Sequence, residues 1–185
     1  MKKVNVFFAE GFEEVEALTV VDILRRVGIE TFMVSVTGEK MVKGAHGIKI
    51  EMDKTFNVVA DADAIVLPGG MPGTLNLKAH EGLRKLIEDY NEKGKLLCAI
   101  CAAPTVYGSM GLLKERHATC YPGMEAELDC VEALTDAVVI DDNFITSRGM
   151  GTAIEFSLAI VRNLIDDETA DELASKIVYE QTRES

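Results

Sequence analysis

No apolar run in this 185-residue chain approaches the roughly 20 residues that a membrane-crossing helix needs. A membrane-spanning protein of the helical kind is therefore not expected. The N-terminal stretch MKKVNVFFAEGFEE places two lysines before a short apolar run. Acidic residues follow at once, and no small-residue cleavage site is present, so a buried first strand is expected rather than a signal peptide. That reading puts the protein in the cytoplasm. Basic residues are also in the minority: 19 Lys and Arg stand against 31 Asp and Glu, a net charge of −12. A field of that sign repels phosphate, so neither nucleic acid nor an anionic membrane is an expected partner. Its simplest use is solubility. Paired histidines and a second C-x-x-C are missing, which argues against a zinc site. The glycines around Gly149 and Gly151 make no dinucleotide fingerprint after a long strand. No metal, nucleotide, flavin or other cofactor is expected. Internal repeats and low-complexity segments are absent as well, and the length suits one domain over 1–185.

What is present is a regular alternation. Residues 3–9 (KVNVFFA), 30–36 (ETFMVSV), 64–67 (AIVL) and 95–100 (KLLCAI) are short apolar or β-branched runs. Between them lie helical stretches. The acidic cluster Glu13, Glu14 and Glu16 opens one that Gly28 ends, in keeping with the helix dipole and the C-terminal use of glycine. Residues 80–93, 102–113, 151–164 and 167–179 are the other expected helices. The glycine-punctuated segment 37–52 is expected as a hairpin or arm, and 137–140 with 144–146 as a second hairpin. Buried strands alternating with helices imply a mostly parallel sheet covered on both faces. Ligands in such sheets bind beyond the carboxyl ends of the strands. Two places there stand out, Pro68-Gly69-Gly70 and Cys101.

The chain has four cysteines, Cys98, Cys101, Cys120 and Cys130. Without an export signal they are expected to be reduced thiols. Cys101 falls where a buried strand turns into a helix, with Ala99 two residues before it and Ala103 two after. A sharp strand-to-helix turn that presents a nucleophile crowds those positions and needs small side chains there. A helix N-terminus at Cys101 is expected to lower the thiol pKa. The Ala102 N–H would face any oxygen on the carbon that sulfur attacks. The bland alternative is a small core cysteine. Cys98 and Cys101 also form a C-x-x-C, but three residues of strand span about 10 Å and a disulfide wants Cα atoms within about 7 Å. Cys98 therefore reads as core.

No histidine among His46, His80 and His117 forms a Cys-His motif. A carboxyl is the other possible partner. Glu16 shares a helix face with Val20, Ile23 and Val27. Burial there would leave it partly protonated near neutrality. Spacing alone favours the plainer role for Glu16, complementing the helix dipole, and leaves Pro68-Gly69-Gly70 evenly a tight turn or an oxyanion-binding loop.

Four motifs carry a resemblance. They are AEGFEEVEALTVVDILRRVG (9–28), AIVLPGGMPGTLNL (64–77), AICAAPTVYGSMGLL (99–113) and ITSRGMGTAIEFSLAIV (145–161). Together, in this order, they resemble the ThiJ/PfpI superfamily, in its branch of parkinsonism-associated (DJ-one) proteins and their bacterial relatives. The resemblance implies a flavodoxin-like α/β/α sandwich of the class I glutamine amidotransferase kind, and a homodimer. It implies that Cys101 is an oxidisable nucleophile, Glu16 its protonated partner, and Gly69, Gly70 and Ala102 oxyanion-binding groups. His46 falls near a position that approaches the neighbouring subunit's site in some members. Two positions depart from relatives. Ala102 stands where the peptidase branch has histidine, which argues against protease activity. Tyr121-Pro122 stands where some members have His-Pro, so Tyr121 would supply a hydroxyl instead. The implied activities are a cofactor-independent glyoxalase or deglycase acting on reactive carbonyls, or a non-enzymatic oxidative-stress sensor or chaperone.

Overall fold

The computed structural model describes residues 1–179. Eleven strands and six α-helices alternate along them. β1 (Lys3–Phe8) is buried at all but its first residue, as expected of a strand with a helix on either face. α1 (Glu14–Arg26) starts where the Glu13 side chain accepts the Glu16 N–H, and it carries acidic residues in its first turn and Arg25 and Arg26 in its last. Each end thus complements the helix dipole. Gly28 then adopts a left-handed φ of 77°, which leads the chain into β2 (Glu30–Ser35).

β3 (Met41–Lys43) and β4 (Lys49–Glu51) form the expected arm as a separate antiparallel pair. The arm docks on the loop before α1. Gly11 donates to the Lys43 carbonyl at 2.8 Å, and Ala45 donates to the Phe12 carbonyl at 2.8 Å. β5 (Lys54–Thr55), β6 (Ala64–Leu67), α2 (Gly73–Ala79), α3 (Glu81–Glu92) and β7 (Leu96–Ile100) follow. Then come α4 (Pro104–Ser109), β8 (His117–Ala118), β9 (Glu132–Ala133), β10 (Val138–Asp141), β11 (Phe144–Ser147), α5 (Ala153–Leu164) and α6 (Asp167–Lys176).

The main sheet has seven strands in the order β10-β11-β7-β6-β1-β2-β5. Its pairings are parallel except β10 with β11. One apolar layer joins the sheet to α1, α5 and α6 through residues such as Val20, Leu24, Phe156, Ile160 and Leu173. The other joins it to α2, α3 and α4 through Leu77, Leu83, Ile87, Val106 and Tyr107. This is a three-layer α/β/α sandwich. No helix among the described residues is long and apolar enough to cross a membrane.

Several expected boundaries move. The helix expected over 102–113 is the six-residue α4. Its Gly108 lies so close to the 127–128 backbone that a Cβ would sit 2.3 Å from the Glu127 carbonyl oxygen, and Gly111 turns left-handed at φ 70°. The helix expected to open at Gly151 begins as a 3-10 turn over Met150–Thr152. α6 ends at Lys176 rather than Tyr179. α2, β5 and the parallel β8–β9 pair are additions that no expectation covered.

Candidate active site

β7 delivers the chain to Cys101, which takes a left-handed φ of 65°. A side chain with a Cβ rarely adopts that conformation, and such residues persist only where neighbours hold them. Here the Cys101 N–H donates to the Ser147 carbonyl at 2.9 Å, and its own carbonyl accepts from the Tyr121 N–H at 2.8 Å. Ala99 and Ala103 are both fully buried, consistent with the crowding expected at those positions. The thiol ends up half-buried, at the carboxyl end of the sheet.

Glu16 comes to it from the first turn of α1. That turn is anchored by the Glu13 N–H, which donates to the Gly69 carbonyl at 2.9 Å, and by the Glu13 carboxylate, which accepts from the Glu16 N–H at 2.7 Å. Glu16 is only 1% exposed. Its Oε2 accepts from the Gly69 N–H at 2.9 Å, and its carboxyl lies beside the Cys101 side chain, both crowding the space next to Gly69, so that each group shifts the other's protonation. Glycine is required at both following positions. A Cβ on Gly69 would lie 2.6 Å from the Cys101 Cβ and 2.8 Å from Glu16 Oε2. Gly70 has φ 91°, and a Cβ there would lie 2.4 Å from the Glu13 nitrogen.

Burial, reinforced by the nearby charge of Glu13, pushes the Glu16 carboxyl up to about 7. Hydrogen bonds with Cys101 and from Gly69 offset part of that rise. Burial also pushes the Cys101 thiol up, to about 12, and the charge of Glu16 and the bond to it add to the effect. Only the Ala102 and Gly70 N–H groups act to lower it. This corrects the expectation of a thiol lowered by a helix. α4 has six residues and starts three positions after Cys101, so burial and the carboxyl decide the outcome. The two groups titrate as a pair. The first proton leaves near neutrality, and the pair then holds one proton and one negative charge. That charge resides on the carboxylate, or on sulfur with Glu16 protonated.

A pocket of ≈ 400 Å³ opens over Cys101. It is lined by Gly70, Met71 and Ala102 together with residues 121–124 (Tyr121, Pro122, Gly123, Met124). A cleft of similar size, ≈ 380 Å³, lies among Lys2, Asp63, Lys95 and Asn143 and contains no cysteine. Chemistry and fold both favour the pocket at Cys101.

The structure therefore brings Cys101, Glu16, Gly69, Gly70, Ala102 and Tyr121 together. The Gly69 N–H is occupied by Glu16, which leaves the Gly70 and Ala102 N–H groups facing sulfur. Tyr121 is 52% exposed, and its ring lies against Gly149. His46 does not line the pocket. Its side chain is 72% exposed and pairs through Nδ1 with Glu14 Oε2 at 2.8 Å. Burial opposes ionisation of Glu14, but hydrogen bonds from His46 outweigh it and hold that carboxyl below its usual value. Among the described residues, ligand atoms of Glu13, Glu14 and His46 lie within 4.8 Å of one another, and both Glu14 oxygens already accept from His46. His80 caps α3, its Nδ1 accepting from the Leu83 N–H at 2.9 Å. His117 pairs with Asp141. Cys98 is a fully buried free thiol. Expectations from the residues missed the pocket-forming Met71 and Met124, the Ser147 carbonyl and the Glu13 anchor. A lone methionine or a backbone carbonyl leaves no pattern in a single sequence.

The DJ-1/PfpI family matches residues 2–163. This chain belongs to the DJ-1/PfpI family. It is 40% identical over 181 residues to Protein DJ-1 homolog B of Arabidopsis thaliana, an alignment covering 96% of this chain and 41% of that protein. The chain thus spans less than half the length of that relative. It is 36% identical over 168 residues to the Caenorhabditis elegans glutathione-independent glyoxalase DJR-1.2, covering 89% of each. Its fold matches the oxidized form of Toxoplasma gondii DJ-1 with a TM-score of 0.95 and 32% identity, covering 98% of this chain and 100% of the other. The sandwich is accordingly the flavodoxin-like fold of DJ-1/PfpI proteins.

Proposed function

We propose that this DJ-1/PfpI protein is a cofactor-independent, glutathione-independent glyoxalase that converts a 2-oxoaldehyde such as methylglyoxal to a 2-hydroxy acid. The observation that carries the reading is the buried Glu16 carboxyl set beside Cys101, whose side chain lines the pocket. The relative named as a glutathione-independent glyoxalase supports it. Sulfur, activated as Glu16 takes the shared proton, adds to the aldehyde carbon. Glu16 hands its proton to the aldehyde oxygen, and a hemithioacetal forms. The Gly70 and Ala102 N–H groups stabilise charge on that oxygen. The Glu16 carboxylate then removes the hydrogen on C1 as a proton, giving an enediolate with its charge on the C2 oxygen. The C1 hydroxyl proton passes to the oxygen on C2, and Glu16 returns its proton to carbon C2. The product is a 2-hydroxyacyl thioester on Cys101. Water cleaves the thioester, releasing the acid and restoring the pair. Removal of early glycation adducts, a deglycase activity, would use the same sulfur attack.

The test is lactate formation from methylglyoxal in glutathione-free buffer. Wild type forms lactate, and Cys101→Ser and Glu16→Gln lose it by at least about a hundred-fold, the scale of a removed acid–base group. No turnover by wild type above buffer overturns the reading.

A second reading is favoured by the oxidized state of the Toxoplasma relative. Cys101 would act as a peroxide sensor. One hydrogen peroxide converts the thiolate to a sulfenate and water, and a second gives the sulfinate and water. The sulfinate oxygens would face Glu16 and the Gly70 and Ala102 N–H groups. Mild peroxide followed by peptide mass mapping tests it. A two-oxygen adduct on Cys101 before Cys98, Cys120 or Cys130 reacts supports it, and the reverse order overturns it.

A further inference from the structure

We propose that the pocket selects 2-oxoaldehydes carrying an uncharged apolar side group larger than methyl, with Met71, Tyr121 and Met124 determining that choice. The inference rests on the glyoxalase reading and goes beyond it to the part of the substrate that does not react.

The reacting atoms of such a substrate need Cys101, Glu16 and the two N–H groups. Everything else bounding the pocket must meet the side group. Those surfaces are the thioethers of Met71 and Met124, the ring of Tyr121 and Pro122. At ≈ 400 Å³ the pocket lies within the range of about 300–1,000 Å³ that encloses drug-sized ligands. A single methyl group leaves most of that space to water. Met71 and Tyr121 are also among the large apolar side chains that the chain leaves exposed, at 47% and 52%. Burying them on a bound alkyl or aryl group is favourable. Methionine suits such a wall, because its unbranched thioether adapts to irregular shapes and packs well on aromatic rings.

Charge points the same way. Among the described residues, no lysine, arginine or histidine lines the pocket. Glu16 lies buried behind Cys101, and Glu125 lies beside the rim, with Oε2 accepting from the Gly123 N–H at 2.8 Å. The Arg148 guanidinium, with Nη2 4.0 Å from Glu125 Oε1 and Nη1 buried without a hydrogen-bond partner, does not line the pocket. A phosphorylated or carboxylated aldehyde would enter a field of its own sign and meet no cationic side chain among these lining residues. The same field assists departure of the 2-hydroxy acid, which is an anion.

The test is a series of kcat/KM values on the purified protein without glutathione. The substrates are methylglyoxal, 2-oxobutanal, 2-oxohexanal and hydroxypyruvaldehyde, the last being nearly the shape of 2-oxobutanal with a hydroxyl in place of its terminal methyl. The values rise along the alkyl series by at least about ten-fold overall, as added methylenes in an apolar site require. 2-Oxobutanal exceeds hydroxypyruvaldehyde. Met124→Ser and Met71→Ser reduce the ratio of 2-oxohexanal to methylglyoxal, whatever they do to the methylglyoxal value alone. A flat or falling series with methylglyoxal turnover that requires Cys101 overturns this inference and leaves the glyoxalase reading standing. An unchanged ratio in both serine variants overturns it equally. Absence of turnover with every substrate overturns both.

Discussion

Replacing Glu16 by glutamine turns a buried ionisable group into a neutral one of the same shape. Glutamine still offers a carbonyl to the Gly69 N–H that Glu16 accepts at 2.9 Å. In wild type, burial lifts the carboxyl from 4.5 to about 7. A carboxyl whose folded pKa exceeds its unfolded value holds its proton more tightly when folded. Its favourable contribution is therefore complete below about pH 4.5 and is lost as pH rises through about 7. At about 1.4 kcal/mol per pKa unit, the full loss is about 3 kcal/mol. About 2 kcal/mol of it falls between pH 5.5 and pH 8.5. Glu16 is 1% exposed, so solvent screening removes little of this. Urea unfolding under reducing conditions at the two pH values measures it. Wild type loses about 2 kcal/mol more than Glu16→Gln on going to pH 8.5. A stability difference between the two proteins that stays constant to within about 0.5 kcal/mol refutes the claim that Glu16 is held protonated by burial.

Turnover in wild type rises as pH passes through about 7, where the pair sheds its first proton. In any residually active Glu16→Gln preparation the rise moves to more alkaline pH, because sulfur then titrates alone under burial. A pH–rate profile distinguishes the two. Gly69→Ala places a Cβ against both members of the pair. It destabilises the fold by about 1–3 kcal/mol in thermal or urea unfolding, the usual cost of overpacking, and lowers turnover. A stable, fully active Gly69→Ala contradicts the tight geometry described. Cys98→Ala removes a buried core thiol and leaves turnover in place. Loss of activity with an intact fold would restore the C-x-x-C as a redox pair. Sedimentation velocity at micromolar concentration is expected to show a homodimer, with the exposed Val15, Met41 and Ile48 available for apolar contact. A monomer at all concentrations counts against that.

The central strands were legible because their residues are buried on both faces and so read as continuous apolar runs. α1 was legible because its acidic start and the Gly28 stop agree. α2 was not, since it is short and follows directly on the Pro-Gly-rich loop 68–73. β5, β8 and β9 have two residues each and carry no period. α4 is shorter than expected because Gly111, just past the C-cap Met110, turns left-handed at φ 70°, a glycine stop of the kind also seen at Gly28. Cys101 stood out through its small neighbours, Ala99 and Ala103. Its partner did not, because the approach of Glu16 depends on the missing Cβ of Gly69, which spacing cannot reveal. The family motifs supplied that pairing. The direction of the thiol's shift was misjudged for a related reason. A helix start is visible in sequence, whereas the depth of burial and a carboxyl from another helix emerge only after folding.

The most direct measurement is rapid acid quenching of the protein mixed with methylglyoxal, followed by peptide mass mapping. Wild type carries one substrate mass on the peptide containing Cys101, stable to acid and removed by hydroxylamine, as a thioester must be. Glu16→Gln lacks that adduct, since it cannot move the proton between carbons. Lactate formed at an undiminished rate by Cys101→Ser, or formed by wild type with no adduct at Cys101, would contradict a mechanism built on this pair.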